Sequence, residues 1–419
     1  MNDAVASRVA EPKTKRKASQ KPASTRQLTT KDIFLQGERA LDKVEDMRAA
    51  MLAPQVSKDP PVFSSSQVAT LCNIDRTALT YRAKNREDLP EGTVKSNGSR
   101  REFTLAEARQ WIVAHDVAPK RPAGAQAATI TVAMFKGGST KTTTVMTLAQ
   151  GLTLRGYKVL VVDTDPQNSL TTLCGILADS ELDNSDSLSP LFQGLQTDAS
   201  YAVRKTYWDG LDLIPAHSGL SAAEFFLPAR QSDSNRTREH FNFYEVLNTG
   251  LESLRHEYDV ILIDTPPSLS YTTINAMYAA DGLIIPICPA ALDYLSAAQF
   301  WAMFGELSTS LESRGWDKTY SFINVLLSKV NTNSTSASLM RQWVSDTYKE
   351  RVLPVVIPES AATSLASAQF GTIYDTTRYE GAAKTYQRAR DPYDQFVQIM
   401  VHSRANHWDA EQASNKNEI

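Results

Sequence analysis

Residues 136–144 read Lys136-Gly137-Gly138-Ser139-Thr140-Lys141-Thr142-Thr143-Thr144, and those types in that order suit the grip of a polyphosphate. Glycines let the backbone curl so that several N–H groups point at one anion. A helix beginning next to them adds the positive end of its dipole. Lys141 supplies a full charge for the outer phosphates, and Thr142 offers a hydroxyl to a magnesium ion. A Gly-Gly pair alone would say little. The pair lies between an apolar β-branched run and a helical pattern and is followed by Lys-Thr-Thr, which makes it a specific signal. Two more apolar runs end in carboxylates: 159–162 runs into Asp163-Thr164-Asp165-Pro166-Gln167, and 260–263 into Asp264-Thr265-Pro266-Pro267.

The elements that must position these groups are legible in outline. Residues 130–135 predict a strand that feeds the phosphate loop. The helix after the loop carries Val145, Leu148, Ala149, Leu152 and Leu154, and Gly156 ends it. Further strands are expected at 158–162, 260–263, 283–285, 320–327 and 352–357. Unbroken β-branched runs spaced by helices indicate a mainly parallel sheet covered on both faces. The expected fold is therefore α/β, a P-loop ATPase layout with a small domain ahead of it. Residues 178–240 read as an irregular polar insertion. Phe396, Val397, Ile399, Met400 and Val401 read as the core of a last helix, and 406–419 as a disordered tail.

The chain before the loop divides further. Residues 1–30 form a basic arm: through Lys31 there are eight basic groups against two acidic ones, in a Ser-, Ala- and Pro-rich stretch that buries too little apolar surface to fold alone. Such an arm either solubilises or makes loose contact with DNA phosphates. Residues 31–54 predict a helix with an apolar stripe of Phe34, Leu41, Val44 and Met47. The stripe needs cover from the ATPase domain or a second subunit, and Pro54 stops the helix. Residues 55–118 read as a small independent domain. Serine caps open a first helix, Cys72-Asn73-Ile74-Asp75 turns, a second helix starts at Arg76, and Asn97-Gly98 centres a hairpin before a final helix with Leu105, Ala108, Trp111 and Ile112. Helix, turn, helix and basic hairpin is the plan of a winged helix-turn-helix. On that plan Arg76, Thr77, Thr80, Tyr81 and Lys84 face DNA bases, and Lys95, Arg100 and Arg101 of the wing reach phosphates. Residues 119–127 are a linker by composition, and 128–405 the ATPase domain.

Composition narrows the class. The 419 residues carry a net charge of -3, with 42% hydrophobic and 22% charged side chains, ordinary for a globular protein. No apolar run reaches the roughly 18 residues of a membrane span, and the N-terminus lacks the apolar core of a secretory signal. Cys72, Cys174 and Cys288 lie far apart, with neither metal-ligand nor disulfide spacing, which fits a reducing cytoplasm.

The pattern Lys-Gly-Gly-x-x-Lys-Thr-Thr, with its lysine at the start of the loop, resembles the deviant Walker A box of the ParA/MinD ATPases. Asp163-Thr164-Asp165-Pro166-Gln167 resembles that family's switch, and 261–267 its Walker B strand. Pro286-Ile287-Cys288-Pro289 and Asp293 are similar to its segment after the next strand. Over about residues 60–400 the chain is similar to the large ParA proteins, in particular the RepA partition ATPases of repABC plasmids.

The resemblance implies the following roles. Residues 137–143, with Pro289 and Asp293, bind ATP or ADP. Lys136 reaches the nucleotide of a dimer partner. Asp165 orients the attacking water, and Thr142, Asp165 and Asp264 attend the magnesium. It also implies an ATP-bound homodimer, weak ATPase activity stimulated by a ParB-type partner, ATP-dependent non-specific DNA binding, and operon repression through the winged helix. One position departs: the usual loop has glycine before the second lysine, and this chain has Thr140, costly at positive φ. Either φ is ordinary there or the loop is strained.

Related functions fit less well. A membrane-cycling relative needs a basic amphipathic C-terminus, and this tail is polar with Glu411 and Glu418. Cluster-binding relatives need paired cysteines, absent after Asp264. A transcription regulator that uses ATP only as an effector stays open. Arg378, Lys384, Arg388 and Arg390 are either contacts to non-specific DNA or a solvated helix face.

Overall fold

The computed structural model describes residues 29–52, 58–94, 101–237, 240–376 and 383–417. The expected basic arm, Lys95, Arg100 and Arg378 fall outside them. The chain divides into two compact units, 1–56 and 57–419.

The first unit holds helix α1 (Thr30–Leu52). Thr29 caps it: its amide and hydroxyl donate to Asp32 Oδ2 at 2.8 and 2.6 Å, and these bonds hold the Asp32 carboxyl below its ordinary pKa. The stripe of Phe34, Leu41, Val44 and Met47 is exposed.

The second unit opens with β1 (Phe63–Ser64), α2 (Ser65–Leu71), α3 (Arg76–Asn85), β2 (Thr93–Val94), β3 (Arg101–Phe103) and α4 (Leu105–Ala114). Ser64 and Gln67 form a capping box on α2, Thr104 and Glu107 one on α4, and Asp75 caps α3. The strands make a small antiparallel sheet in the order β1-β3-β2. Leu79, Phe103, Leu105, Trp111 and Ile112 are buried, but in a core that continues into the ATPase helices rather than one of their own. The small domain expected to stand alone is therefore seated on its neighbour. Arg109 of α4 donates to the carbonyls of Thr153 and Tyr157 at 3.1 and 3.0 Å.

The large sheet has eight strands: β4 (Ala128–Val132), β5 (Val159–Asp163), β6 (Arg204–Lys205), β7 (Leu211–Ile214), β8 (Val260–Asp264), β9 (Gly282–Ile287), β10 (Phe322–Val330) and β11 (Val352–Pro358), in the order β11-β10-β9-β4-β8-β5-β7-β6. All neighbours are parallel except β6 with β7. Alternate side chains face opposite cores. Val159, Val161, Val260 and Leu262 enter one; Leu160, Val162, Ile261 and Ile263 enter the other. Helix α5 (Lys141–Thr153) follows β4 on the first face.

Four expectations change. The strand before the loop is Ala128–Val132, and Ala133 and Met134 are buried beyond it. The insertion is not irregular: it supplies β6, β7 and the helix Ala223–Thr237, with Leu188, Phe192 and Leu227 in the second core. The linker is packed, because the Arg121 guanidinium donates to the carbonyls of Ala125, Arg255 and His256 at 3.1, 3.0 and 2.9 Å. The last helix runs from Ala383 to Asn417, so the tail is helical where disorder was expected. Trp408 is buried and its indole donates to the Gln126 carbonyl at 2.9 Å, with Arg404 stacked between it and Tyr157. That docking carries the helix past 405.

Candidate functional site

A parallel sheet gathers the ends of its strands at one edge, where loops from several strands meet. Here β4 ends into the glycine loop, β5 into Asp163 and Asp165, β8 into Asp264 and β9 into Cys288 and Pro289, while β10 carries Ser328 and Lys329 in its last three residues.

The loop turns with Gly138 at φ +75°, which glycine adopts without strain. A Cβ at Gly137 or Gly138 would meet nothing within 4 Å, so their outer side is open. Thr140 has φ 72° and ψ 15°, the left-handed region, and begins α5. Of the two alternatives at this departure, the strained backbone is the one adopted.

Lys141 is buried, and its Nζ donates to the Lys136 carbonyl at 3.1 Å. Burial lowers its pKa, against the opposing fields of Asp264 and Asp165. The charge is thus held close under the loop at a desolvation cost.

Asp163 and Asp264 face each other across paired strands. Both are buried. Asp163 accepts from the Thr171 amide and hydroxyl at 2.9 and 2.7 Å and from the Asp165 amide at 3.1 Å. Burial still raises its pKa to about 7. Asp264 accepts nothing: both carboxylate oxygens are buried with no hydrogen-bond partner. Burial and the neighbouring Asp163 push its pKa well up, while Thr142 and Lys141 beside it act in the other direction. An orphaned carboxylate beside a hydroxyl and a lysine fits a hydrated divalent cation shared with phosphates. Among the described residues no group of three His, Cys, Asp or Glu side chains could hold a metal alone, so a cation here needs the phosphates as ligands.

Asp165 is half-buried, and its Oδ1 accepts the Gln167 amide at 3.0 Å, an Asx turn that faces the carboxylate toward the edge. Lys136 Nζ lies 2.6 Å from Asp293 Oδ2 in the helix Ala291–Glu312. The two expected site residues therefore pair with each other within one chain. Ser139 donates to the Lys136 carbonyl, and Pro289 is buried after β9. Thr142, Thr143 and Lys141 form the first turn of α5, where unpaired N–H groups collect.

Two residues were missed. Lys329 has φ 48° and its Nζ lies 3.5 Å from the Gly138 carbonyl, and Ser328 accepts the Thr140 hydroxyl at 2.9 Å. Their signal is faint: a polar Ser-Lys pair closing an apolar run that, once read as a strand, ends at the loaded edge.

The expected DNA-facing residues fall into distinct groups. Arg76, Thr77, Thr80, Tyr81 and Lys84 share the exposed face of α3. Arg101 is engaged, donating to the carbonyl and carboxylate of Glu91. Lys384 and Arg388 are exposed one turn apart on the last helix. Arg390 is not free for DNA: it is paired with Asp394 at 3.4 Å, donates to the Tyr386 hydroxyl at 3.0 Å, and stacks over Tyr374.

Residues 127–314 match the AAA domain family. The chain is similar to a Sinorhizobium fredii protein named replication protein A, 30% identical over 371 residues, which is 86% of this chain and 90% of that one. It is also similar to a ParA family protein of Chlamydia muridarum, 29% identical over 62% of this chain and 94% of the relative. Among solved structures, one titled Partition Protein superposes with a TM-score of 0.62 at 22% identity, covering 90% of this chain and 99% of that one. A Mycobacterium smegmatis cobyrinic acid a,c-diamide synthase with bound ADP and magnesium has a TM-score of 0.51 at 25% identity, covering 68% of this chain and 96% of that one. With the phosphate loop, the two strand-end carboxylates and an end-to-end relative in agreement, this chain belongs to the ParA-type partition ATPases, close to RepA.

Proposed function

We propose that the protein is a nucleotide-switched, DNA-binding partition ATPase that binds ATP with magnesium at the 136–144 loop and hydrolyses it to ADP and phosphate. The observation that carries this is the orphaned, buried Asp264 carboxylate beside Lys141 and Thr142. Thr142 and Lys141 offset only part of the cost of burying that charge, which is expected of a site completed by a ligand.

Lys141 would face the β- and γ-phosphates, and the amides of 137–143 would supply donors to their oxygens. Thr142 and Asp264 would hold the cation, with Asp165 beside it. Magnesium, when bound, offsets the phosphate charge. Asp165 orients the water that attacks the terminal phosphate. Lys136 leaves Asp293 and turns to the nucleotide of a second subunit, so the pair doubles as a resting position for that lysine. Pro289 and Asp293 border the nucleotide.

The exposed face of α3 reads operator bases from Arg76, Thr77, Thr80, Tyr81 and Lys84, with Lys95, Arg100 and Arg101 as the phosphate-facing wing. Lys384 and Arg388 contribute to non-specific binding by the ATP-form homodimer. A ParB-type protein stimulates hydrolysis, and the protein works in the cytoplasm on the nucleoid. No helix among the described residues is long and apolar enough to cross a membrane.

The test is binding to operator and to random DNA, each with ADP and with ATP. Random-DNA binding that appears only with ATP supports the switch; equal binding in both nucleotides overturns it. Arg76→Ala is expected to cut the preference for operator by about 1–3 kcal/mol if Arg76 reads a base. An unchanged preference would place the recognition surface elsewhere.

A further inference from the structure

Thr140 poses a problem that the phosphate chemistry does not solve. It is β-branched and sits at φ 72°, a region that L-residues avoid and that glycine occupies freely. Gly138, also left-handed, needs no support, but Thr140 does. Its backbone is one residue from Lys141 and opens α5, so its dihedral angles aim the first amides of the helix. A relaxed Thr140 would redirect those amides and the lysine together.

The support comes from a different strand. The Thr140 hydroxyl donates to Ser328 Oγ at 2.9 Å, and it lies 3.5 Å from the Thr144 hydroxyl. Ser328 is 1% exposed, at the tip of β10. There the strand leaves regular pairing: the register with β11 shifts between Leu327 and Val330, and Lys329 takes φ 48°. That kink brings Lys329 Nζ to 3.5 Å from the Gly138 carbonyl. The β10 tip therefore meets the loop at both of its left-handed residues.

We propose that Ser328 is a positioning residue for the phosphate loop: its hydroxyl clasps Thr140 in the left-handed conformation, a task glycine would perform unaided. This rests on the reading of 136–144 as the nucleotide site. Ser328 acts through Thr140 on the direction of the Lys141 amide and on the start of α5.

The test is a double-mutant cycle in the full chain, read by equilibrium titration with ATP and magnesium and by thermal melting. Ser328→Ala and Thr140→Val, an isostere without the hydroxyl, are each expected to weaken nucleotide binding by about tenfold, in line with one buried hydrogen bond. The double variant is expected to be no weaker than either single one. In a Thr140→Gly background, Ser328→Ala is expected to change affinity no further. A merely structural serine would lower the melting temperature and leave affinity alone, or lose the same factor in every background; either result overturns the clasp. Lys141→Ala serves as the control. If it leaves ATP affinity intact, the nucleotide-site reading has failed. If it abolishes binding while the Ser328 pattern is absent, the clasp alone has failed.

Discussion

The ends of β5 and β8 lie side by side in the sheet and carry the same side chain, yet Asp163 accepts three hydrogen bonds and Asp264 none. Both carboxylates are buried, and burial disfavours both charges. The difference separates a carboxylate that builds the site from one that waits for a ligand. Asp163 holds the turn into the short helix Ser169–Leu173 and thereby places Asp165. Asp264 is left without such hydrogen bonds beside Lys141 and Thr142, so its lone pairs are open to a cation.

The strongest way to break this comparison is to remove the charge that Asp264 faces and Asp163 does not. Lys141→Ala is expected to abolish ATP binding, measured by titration; affinity near wild type would remove the phosphate site altogether. Next, Asp264→Asn is expected to erase the magnesium dependence of ATP binding while the ligand-free protein becomes more stable by about 1–3 kcal/mol, because an unpaired buried carboxylate has gone. Asp163→Asn is expected to keep the magnesium dependence. If magnesium responds to Asp163→Asn and not to Asp264→Asn, the roles are reversed.

pH sharpens the contrast. Asp163 has a folded pKa of about 7 against an ordinary 3.8. Its folded pKa is raised, so its stabilising contribution is complete below the unfolded value and is lost as pH rises through the folded one. Ligand-free wild type is expected to lose melting temperature between about pH 4 and 7, with a shallower decline in Asp163→Asn and in Asp264→Asn. Parallel slopes in all three proteins would count against both assignments. A more local contrast is expected from Thr171→Val, which removes one donor from Asp163 and the acceptor for the Ala216 amide. A loss of about 1–3 kcal/mol in denaturant melts is expected, with slower hydrolysis through the displaced Asp165. Full stability in that variant would show Asp163 to be as free as Asp264.

Much of this site was legible because its chemistry is local. A phosphate loop needs its glycines, lysine and threonine within a few residues, and a strand-end carboxylate needs only an apolar run before it. The serine cap was equally direct, for Ser64 accepts the Gln67 amide three residues on, whereas the caps at Asp75 and Thr104 emerged with the structure. The insertion was harder, because β6 and β7 are short and lie at the sheet's edge, where pairing rather than composition makes a strand. The end of the last helix was misread for a related reason. Its residues are polar, and only the docking of Trp408 on Gln126 shows why it continues.

By itself, the order of residues determined the α/β class, the phosphate loop, the two carboxylates and the exposed face of α3, since each depends on neighbours within one element. Tertiary structure alone decided which carboxylate is satisfied, that Lys136 rests on Asp293, that the small domain shares a core with the ATPase, and that Thr140 is held by Ser328. Those outcomes depend on partners between 8 and 188 positions apart in the chain, brought together by strand order and burial, and no local pattern records them.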